Sequence, residues 1–254
     1  HTIFTSATLT NLASEDLTKA YSYFMQNTMF PINDSILSEV KYSPFAYDKH
    51  AKLFYTDDIT SPSKDREKFI DESIDLVKKI LDISQGKALI LFTSKADMNA
   101  VYTRLKALNL NYTLIKQNEI SSQQQLIHKF KQDINSVLLG TGVFWEGISI
   151  EGIALSNLII YKLPFPLPEP IINEKCKRSK NPLKEVLVPE MIIKLKQGVG
   201  RLIRNKTDKG IVSIIDSRLG DKSKANYKEK VWQALPIKQR TNSLKELQSF
   251  YDNL

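Results

Sequence analysis

The sequence predicts an α/β fold: a parallel β-sheet with helices on both faces. Three observations lead there. Short, nearly continuous apolar runs occur at residues 88–92, 136–139, 157–163 and 210–215, the pattern of strands buried on both sides. Stretches of helical period separate most of them. Loops rich in glycine or hydroxyls then follow the runs, as in Thr93-Ser94, Gly140-Thr141-Gly142 and Asp216-Ser217-Arg218. Sheets of this class bind ligands where loops leave the carboxyl ends of the strands.

The elements follow in order. Residues 3–5 read as a strand with almost nothing before it, so a piece of a longer polypeptide is expected. Residues 12–23 have helical spacing, and 53–55 read as a strand. Phe69, Ile70, Ile74, Val77 and Ile80 form the apolar stripe of a helix over 66–81. After the strand at 88–92, Ser94 is the N-cap of a helix running to about 107, with Asp97 near its positive end. A strand at 112–115 precedes a helix that starts at Ser121 or Ser122 and ends near Asp133. Residues 164–182 are proline-rich and carry Lys175, Lys177, Arg178 and Lys180; they read as a functional insertion or a mobile loop. Pro189 suits the first position of the next helix. Helices are also expected over 222–235 and 244–251.

Within the helix begun at Pro189, Gln197, Arg201 and Arg204 are spaced i, i+4, i+7 and would share one face. Ile192, Leu195, Val199, Leu202 and Ile203 would bury the other. Gly198 and Gly200 each cost a helix about 1 kcal/mol relative to alanine, so a close approach by backbone or ligand is expected there. Two guanidinium forks and an amide on such a face suit a phosphate. Gly140 and Gly142 free backbone for the same purpose, and Thr141 adds a hydroxyl. Phe144 and Trp145 either stack on bases or pack in the core. The cluster at 175–180 either binds nucleic acid or is a solvated basic loop.

Composition narrows the classes. The 254 residues carry a formal charge of +8, which favours a polyanionic partner. One cysteine, Cys176, allows no internal disulfide and no cysteine-ligated metal centre, and points to a reducing cytoplasm. No apolar run is long enough to span a membrane. His50 and His128 are isolated, and no catalytic triad or carboxylate pair has persuasive spacing. The sequence contains no G-x-x-x-x-G-K-[ST] loop, so a nucleotide held by Arg201 and Arg204 would need its phosphate cradle from elsewhere.

These pieces, in this order, resemble the second RecA-like motor domain of a superfamily 2 helicase of the XPD/DinG group. Thr5-Ser6-Ala7-Thr8-Leu9 resembles motif III, and Ser43-Pro44-Phe45 the entry to the second domain. Leu89-Ile90-Leu91-Phe92-Thr93-Ser94 resembles motif IV. Gly140 to Ser149, with Phe144-Trp145-Glu146-Gly147 inside, resembles motif V, and Lys162-Leu163-Pro164-Phe165 the segment that follows it. Gln197 to Arg204 matches the motif VI pattern Q-x-x-G-R-x-x-R.

The resemblance implies that residues 1–10 are the end of a first motor domain and 11–254 the second. It implies ATP between the two, with the P-loop and Mg2+ on the first. Arg201 and Arg204 would be arginine fingers, and Gln197, Gly147 and Ser149 would complete the nucleotide contacts. Thr93, Ser94, Lys95, Thr141, Gly142 and Trp145 would hold single-stranded DNA, while Ser6, Thr8 and Glu146 would couple the two activities. The protein would be an ATP-dependent 5'–3' helicase or translocase, with this chain inactive by itself. Two residues depart from the pattern: Ser149 stands where the family usually has aspartate, and Lys95 where an aromatic often follows motif IV. Some relatives carry an amino-terminal exonuclease, which makes an ATP-responsive DNA-binding module regulating a fused 3'–5' exonuclease the alternative.

Overall fold

The computed structural model of the chain describes every residue except 1, 7–8, 11–13, 32–35, 41–42, 119, 147–149, 151 and 153. Its elements in chain order are α1 (Leu17–Thr28), α2 (Tyr47–His50), β1 (Ala51–Tyr55), α3 (Arg66–Ser84), β2 (Ala88–Phe92), α4 (Lys95–Ala107) and β3 (Leu114–Lys116). There follow α5 (Gln123–Gln132), β4 (Val137–Gly140), β5 (Asn157–Tyr161), α6 (Pro170–Arg178), α7 (Val188–Val199) and β6 (Gly210–Ile215). The chain ends with α8 (Lys228–Ala234), β7 (Arg240–Thr241) and α9 (Leu244–Asp252). Two compact units form. One comprises His1–Pro44, Pro164–Gln197 and Asn226–Pro236, the other Phe45–Leu163, Gly198–Ala225 and Ile237–Leu254.

The second unit carries the sheet. Its seven strands lie in the order β3-β4-β2-β5-β6-β1-β7, and all the ladders are parallel. Every residue of β2, β4, β5 and β6 is buried, which is why these strands read as apolar runs rather than alternations. One face presents Ile90, Phe92, Ile159 and Ile215 to Phe69 and Val77 of α3, Val101 of α4 and Leu247 of α9. On the other, Leu89, Leu91, Leu158 and Val212 are fully buried, and the stretch beginning at Gly198 approaches Leu91. Each such side chain contributes roughly 1.5–3 kcal/mol by leaving water. The edges are short strands ending in Lys116 and opening with Arg240, charges that discourage pairing with another chain.

In the first unit, Ala20, Tyr21 and Met25 of α1 form a small core with Phe24, Phe30, Leu37 and Val40. Glu190 of α7 accepts from Tyr23 Oη of α1 at 2.6 Å and from Lys175 Nζ of α6 at 2.7 Å. Lys175 therefore serves packing rather than an outward basic patch.

Several sequence expectations are corrected. Residues 3–5 are not a strand: Ile3 is 89% exposed and no neighbouring strand meets it. The first helix begins at Leu17, where the Asp16 carboxylate caps Lys19 N–H. The proline-rich segment contains α6, because Pro170 sits at a helix start, where its missing N–H costs nothing. Pro189 is not at a helix start. A π-helical stretch, Leu183–Leu187, runs directly into α7, with Val188 N–H bonded to Leu183 O. Such a widened turn accommodates a proline that would otherwise collide with the carbonyl four residues back. Only Lys228–Ala234 of the span 222–235 is helical, and β7 is additional.

Candidate functional site

Because the strands are parallel, the loops after β2, β4, β5 and β6 all emerge at one edge. After β2, Ser94 is extended and its hydroxyl accepts from Asp97 N–H at 3.1 Å, the expected N-cap of α4. Thr93 is half-buried beside it and Lys95 is exposed. A helix start of this kind presents N–H groups and a positive dipole end to an anion.

After β4, Gly142 adopts φ +46°, a left-handed turn with open space where a Cβ would stand. Thr141 is 7% exposed, and both its N–H and its hydroxyl donate to Gln117 Oε1, at 2.7 and 3.2 Å. Gln117 had no motif to mark it. The two aromatic rings that follow are core. Phe144 is fully buried beneath Gly140, where an added Cβ would stand 2.5 Å from the ring. Trp145 is 1% exposed, and its indole Nε1 donates to Phe92 O at 2.8 Å. Of the two roles left open for it, stacking on a base or packing in the core, its burial fits packing. Trp145 also explains Gly198: an added Cβ there would meet the indole at 2.7 Å. The close approach expected at that glycine is made by a side chain, not by a backbone or a ligand.

The shared face of Gln197, Arg201 and Arg204 does not form. α7 ends at Val199, and the i→i+3 bonds Arg201 N–H to Gly198 O (2.9 Å) and Leu202 N–H to Val199 O (3.2 Å) tighten the chain out of the helix. Arg201 is 8% exposed, and its Nε and Nη2 both donate to Trp145 O, at 3.0 and 2.6 Å. Burial pulls its pKa down to about 10, the like charge of Arg204 adds to that, and Glu146 opposes it. Arg204 is half-buried. Its N–H and that of Asn205 donate to Asp208 Oδ2 at 2.8 and 3.0 Å, and Asp208 Oδ1 accepts from Gly152 N–H at 3.3 Å. Asp208, which no spacing singled out, thus fastens this turn to the segments entering β5 and β6. Three residues before Arg204, Arg201 is bonded to Trp145 O in the loop that leaves β4, so this stretch joins that loop to the segments entering β5 and β6.

Gln197 belongs to the first unit, as does Ser6, which is exposed. Thr8, Gly147 and Ser149 lie outside the described residues. Among the described residues no cluster of three His, Cys, Asp or Glu is placed to hold a metal ion, and no helix is long and apolar enough to cross a membrane.

The carboxyl edge also holds an ion triad around a buried carboxylate. The Asp97 side chain, 3% exposed, pairs with Arg66 Nε at 2.8 Å and with Lys162 Nζ. Burial by itself raises the Asp97 pKa, but Lys162, the Ser94 hydroxyl and Arg66 outweigh it and hold the carboxyl below its ordinary value of 3.8. A carboxyl depressed by folding adds stability above its unfolded pKa, and that stability is lost as pH falls through the folded one. Asp97→Asn is therefore expected to melt lower than wild type at pH 7. The cost is about 2 kcal/mol, modest for a broken buried pair because both cations reach solvent. The difference should shrink below about pH 4. Parallel melting curves from neutral to acidic pH check this; a constant difference would contradict the ion-pair account.

Residues 77–238 match the family described as the helicase C-terminal domain. Over 99% of its length the chain is 33% identical to ATP-dependent DNA helicase YoaA of Haemophilus influenzae, of which it spans 38%. Over 81% of its length it is 33% identical to 3'-5' exonuclease DinG of Bacillus subtilis, of which it spans 22%. The solved structure of S. tokodaii Xpd4 superposes with a TM-score of 0.59 at 18% identity, over 84% of this chain and 41% of that one. The chain thus spans less than half the length of each. The family match covers most of the sheet-bearing unit, and the structural likeness extends to the fold. The chain belongs to the helicase C-terminal domain family, and its parallel sheet with helices has the RecA-like fold.

Proposed function

We propose that this chain is the carboxy-terminal motor domain of an ATP-dependent 5'–3' DNA helicase or translocase. It holds single-stranded DNA and completes an ATP site whose phosphate loop and Mg2+ belong to a first motor domain. The observation that supports the reading is a capped helix start and an arginine turn carried on one parallel sheet. The helix start at Thr93, Ser94 and Lys95, with the Thr141-Gly142 turn, lies at the carboxyl edge of the sheet. The Arg204 turn is tied by Asp208 to segments entering it, while Arg201 reaches the loop after β4 through Trp145 O and feels the like charge of Arg204, a repulsion that a phosphate would relieve. A motor needs both features. Arg204 is the side chain assigned to the transferring phosphoryl group; Arg201 holds the turn through Trp145 O. Mutagenesis of the two arginines tests this half of the reading.

The DNA half is testable with the chain alone. Binding to a labelled oligothymidine, followed by anisotropy, is expected to weaken as salt rises and to be indifferent to base sequence. Lys95→Ala should flatten the log–log salt slope by about 0.7, the loss of one phosphate contact on a single strand. Binding that ignores salt, or no binding, would refute the assignment.

The second reading is an ATP-responsive DNA-binding module that governs a fused 3'–5' exonuclease. The name of the Bacillus subtilis relative and Ser149, in place of the usual aspartate, favour it. DNA-stimulated ATP hydrolysis by the intact polypeptide without strand separation would select it.

A further inference from the structure

We propose that Lys162 is a positioning residue for the DNA strand: it covers the buried carboxylate of Asp97 and keeps that negative charge from the phosphates bound at the start of α4. The inference rests on the reading of that helix start as a strand-backbone site. Phe92 and Tyr161 are partners in the last rung of the β2–β5 ladder, so Thr93 and Lys162 leave the sheet side by side. Asp97, in the first turn of α4, favours the helix through its dipole but places an anion where a phosphate is to bind. Arg66 and Lys162 flank it, but Arg66 also pairs with Glu67, so Lys162 is the cation that offsets the Asp97 charge.

The backbone indicates that the lysine side chain is being used. Lys162 has φ +74°, a left-handed conformation that costs a residue with a Cβ on the order of 1 kcal/mol and that glycine would adopt freely. Its surroundings hold it there: Lys162 N–H donates to Ile215 O at 3.3 Å, and Leu163 N–H to Asp216 Oδ2 at 2.9 Å. Asp216 is fully buried and clamped in turn by the Arg218 guanidinium, at 2.8 and 2.6 Å. The strained turn delivers the ammonium to Asp97 from the neighbouring strand.

The test is a charge cycle read by oligothymidine anisotropy, with melting curves on the same samples. Lys162→Met exposes the phosphate to Asp97 and should weaken binding about five- to tenfold, the scale of one unit charge at partly screened range. Lys162→Arg should bind as wild type does. Asp97→Asn should bind more tightly and with a steeper salt slope, although it melts lower; a purely structural role would lower both. Lys162→Met with Asp97→Asn should return to within about twofold of wild type, since the anion and its cover leave together. If Asp97→Asn alone does not fold, the double variant against Lys162→Met carries the same comparison. A double variant as weak as Lys162→Met would mean that the lysine touches phosphate itself, and would overturn the proposal, as would an unchanged Lys162→Met. Thr93→Asp separates the two levels. If it abolishes binding while the Lys162 set is flat, this inference alone fails. If it has no effect, or wild type does not bind, the strand site fails and takes the inference with it.

Discussion

Arg204→Ala in the intact polypeptide is expected to lower DNA-stimulated ATP hydrolysis by about 10³- to 10⁵-fold, the loss seen when a transferring phosphoryl group is deprived of its arginine finger. The effect should fall on turnover and leave stability nearly untouched. Asp208 holds this residue by its backbone N–H, which alanine keeps. Arg201→Ala should behave differently. Its guanidinium is committed to Trp145 O through two hydrogen bonds, and removing it strands a buried carbonyl at a cost of about 1–3 kcal/mol. That variant should therefore lose melting temperature as well as turnover. Arg204→Lys should recover little, because an ammonium cannot reproduce the planar fork. Steady-state ATPase with saturating single-stranded DNA, paired with thermal melts, separates the two arginines. Near-normal turnover in Arg204→Ala would end the assignment of a nucleotide role to this turn.

The fold was legible where burial is two-sided. Residues 88–92 and 210–215 read as strands because no residue in them faces water, and their bounds match β2 and β6. Ser94 was legible as a cap because a hydroxyl before a helical period has one obvious use; of Ser121 and Ser122, left open as the start of the next helix, Ser122 is the cap, and each of the two caps accepts the N–H three residues on. What failed to show in the sequence depends on contacts between distant segments. Gly198 and Gly200 were marked as costly in a helix, yet the helix ends there, and the ring that demands Gly198 lies more than fifty residues upstream at Trp145. Asp208 and Gln117 are single polar residues in loops, with no spacing that ties them to the turns they fasten. The bond that Asp208 accepts from Gly152 joins segments far apart in the chain, which periodicity does not contain. The run at 157–163 was read two residues too long because Leu163 is buried like a strand residue, while Lys162 has already turned to positive φ.

Trp145→Ala is the substitution expected to cost the fold most, by about 3–5 kcal/mol for an emptied aromatic site in a packed core. For a chain of this length that is a fall in melting temperature of about 10 °C. Two contacts are lost and a third is put at risk. The indole fills the space against Gly198, its Nε1 donates to Phe92 O at 2.8 Å, and its own carbonyl is where Arg201 is anchored. The last contact involves backbone and survives the substitution chemically, but only if the turn keeps its place once the ring that fixes it is gone. Trp145→Phe isolates the hydrogen bond. It keeps most of the apolar volume and leaves Phe92 O without its donor, at about 1–3 kcal/mol. The expected order of melting temperatures is wild type, then Trp145→Phe, then Trp145→Ala. A base-stacking tryptophan would give the opposite pattern: unchanged melting in both variants, with oligothymidine affinity lost in Trp145→Ala and kept in Trp145→Phe. Since Phe92 immediately precedes Thr93, a loosened Trp145 should also slacken the loop proposed to hold the strand. DNA affinity is then expected to fall in proportion to stability across the two variants, whereas direct contact would dissociate the two quantities.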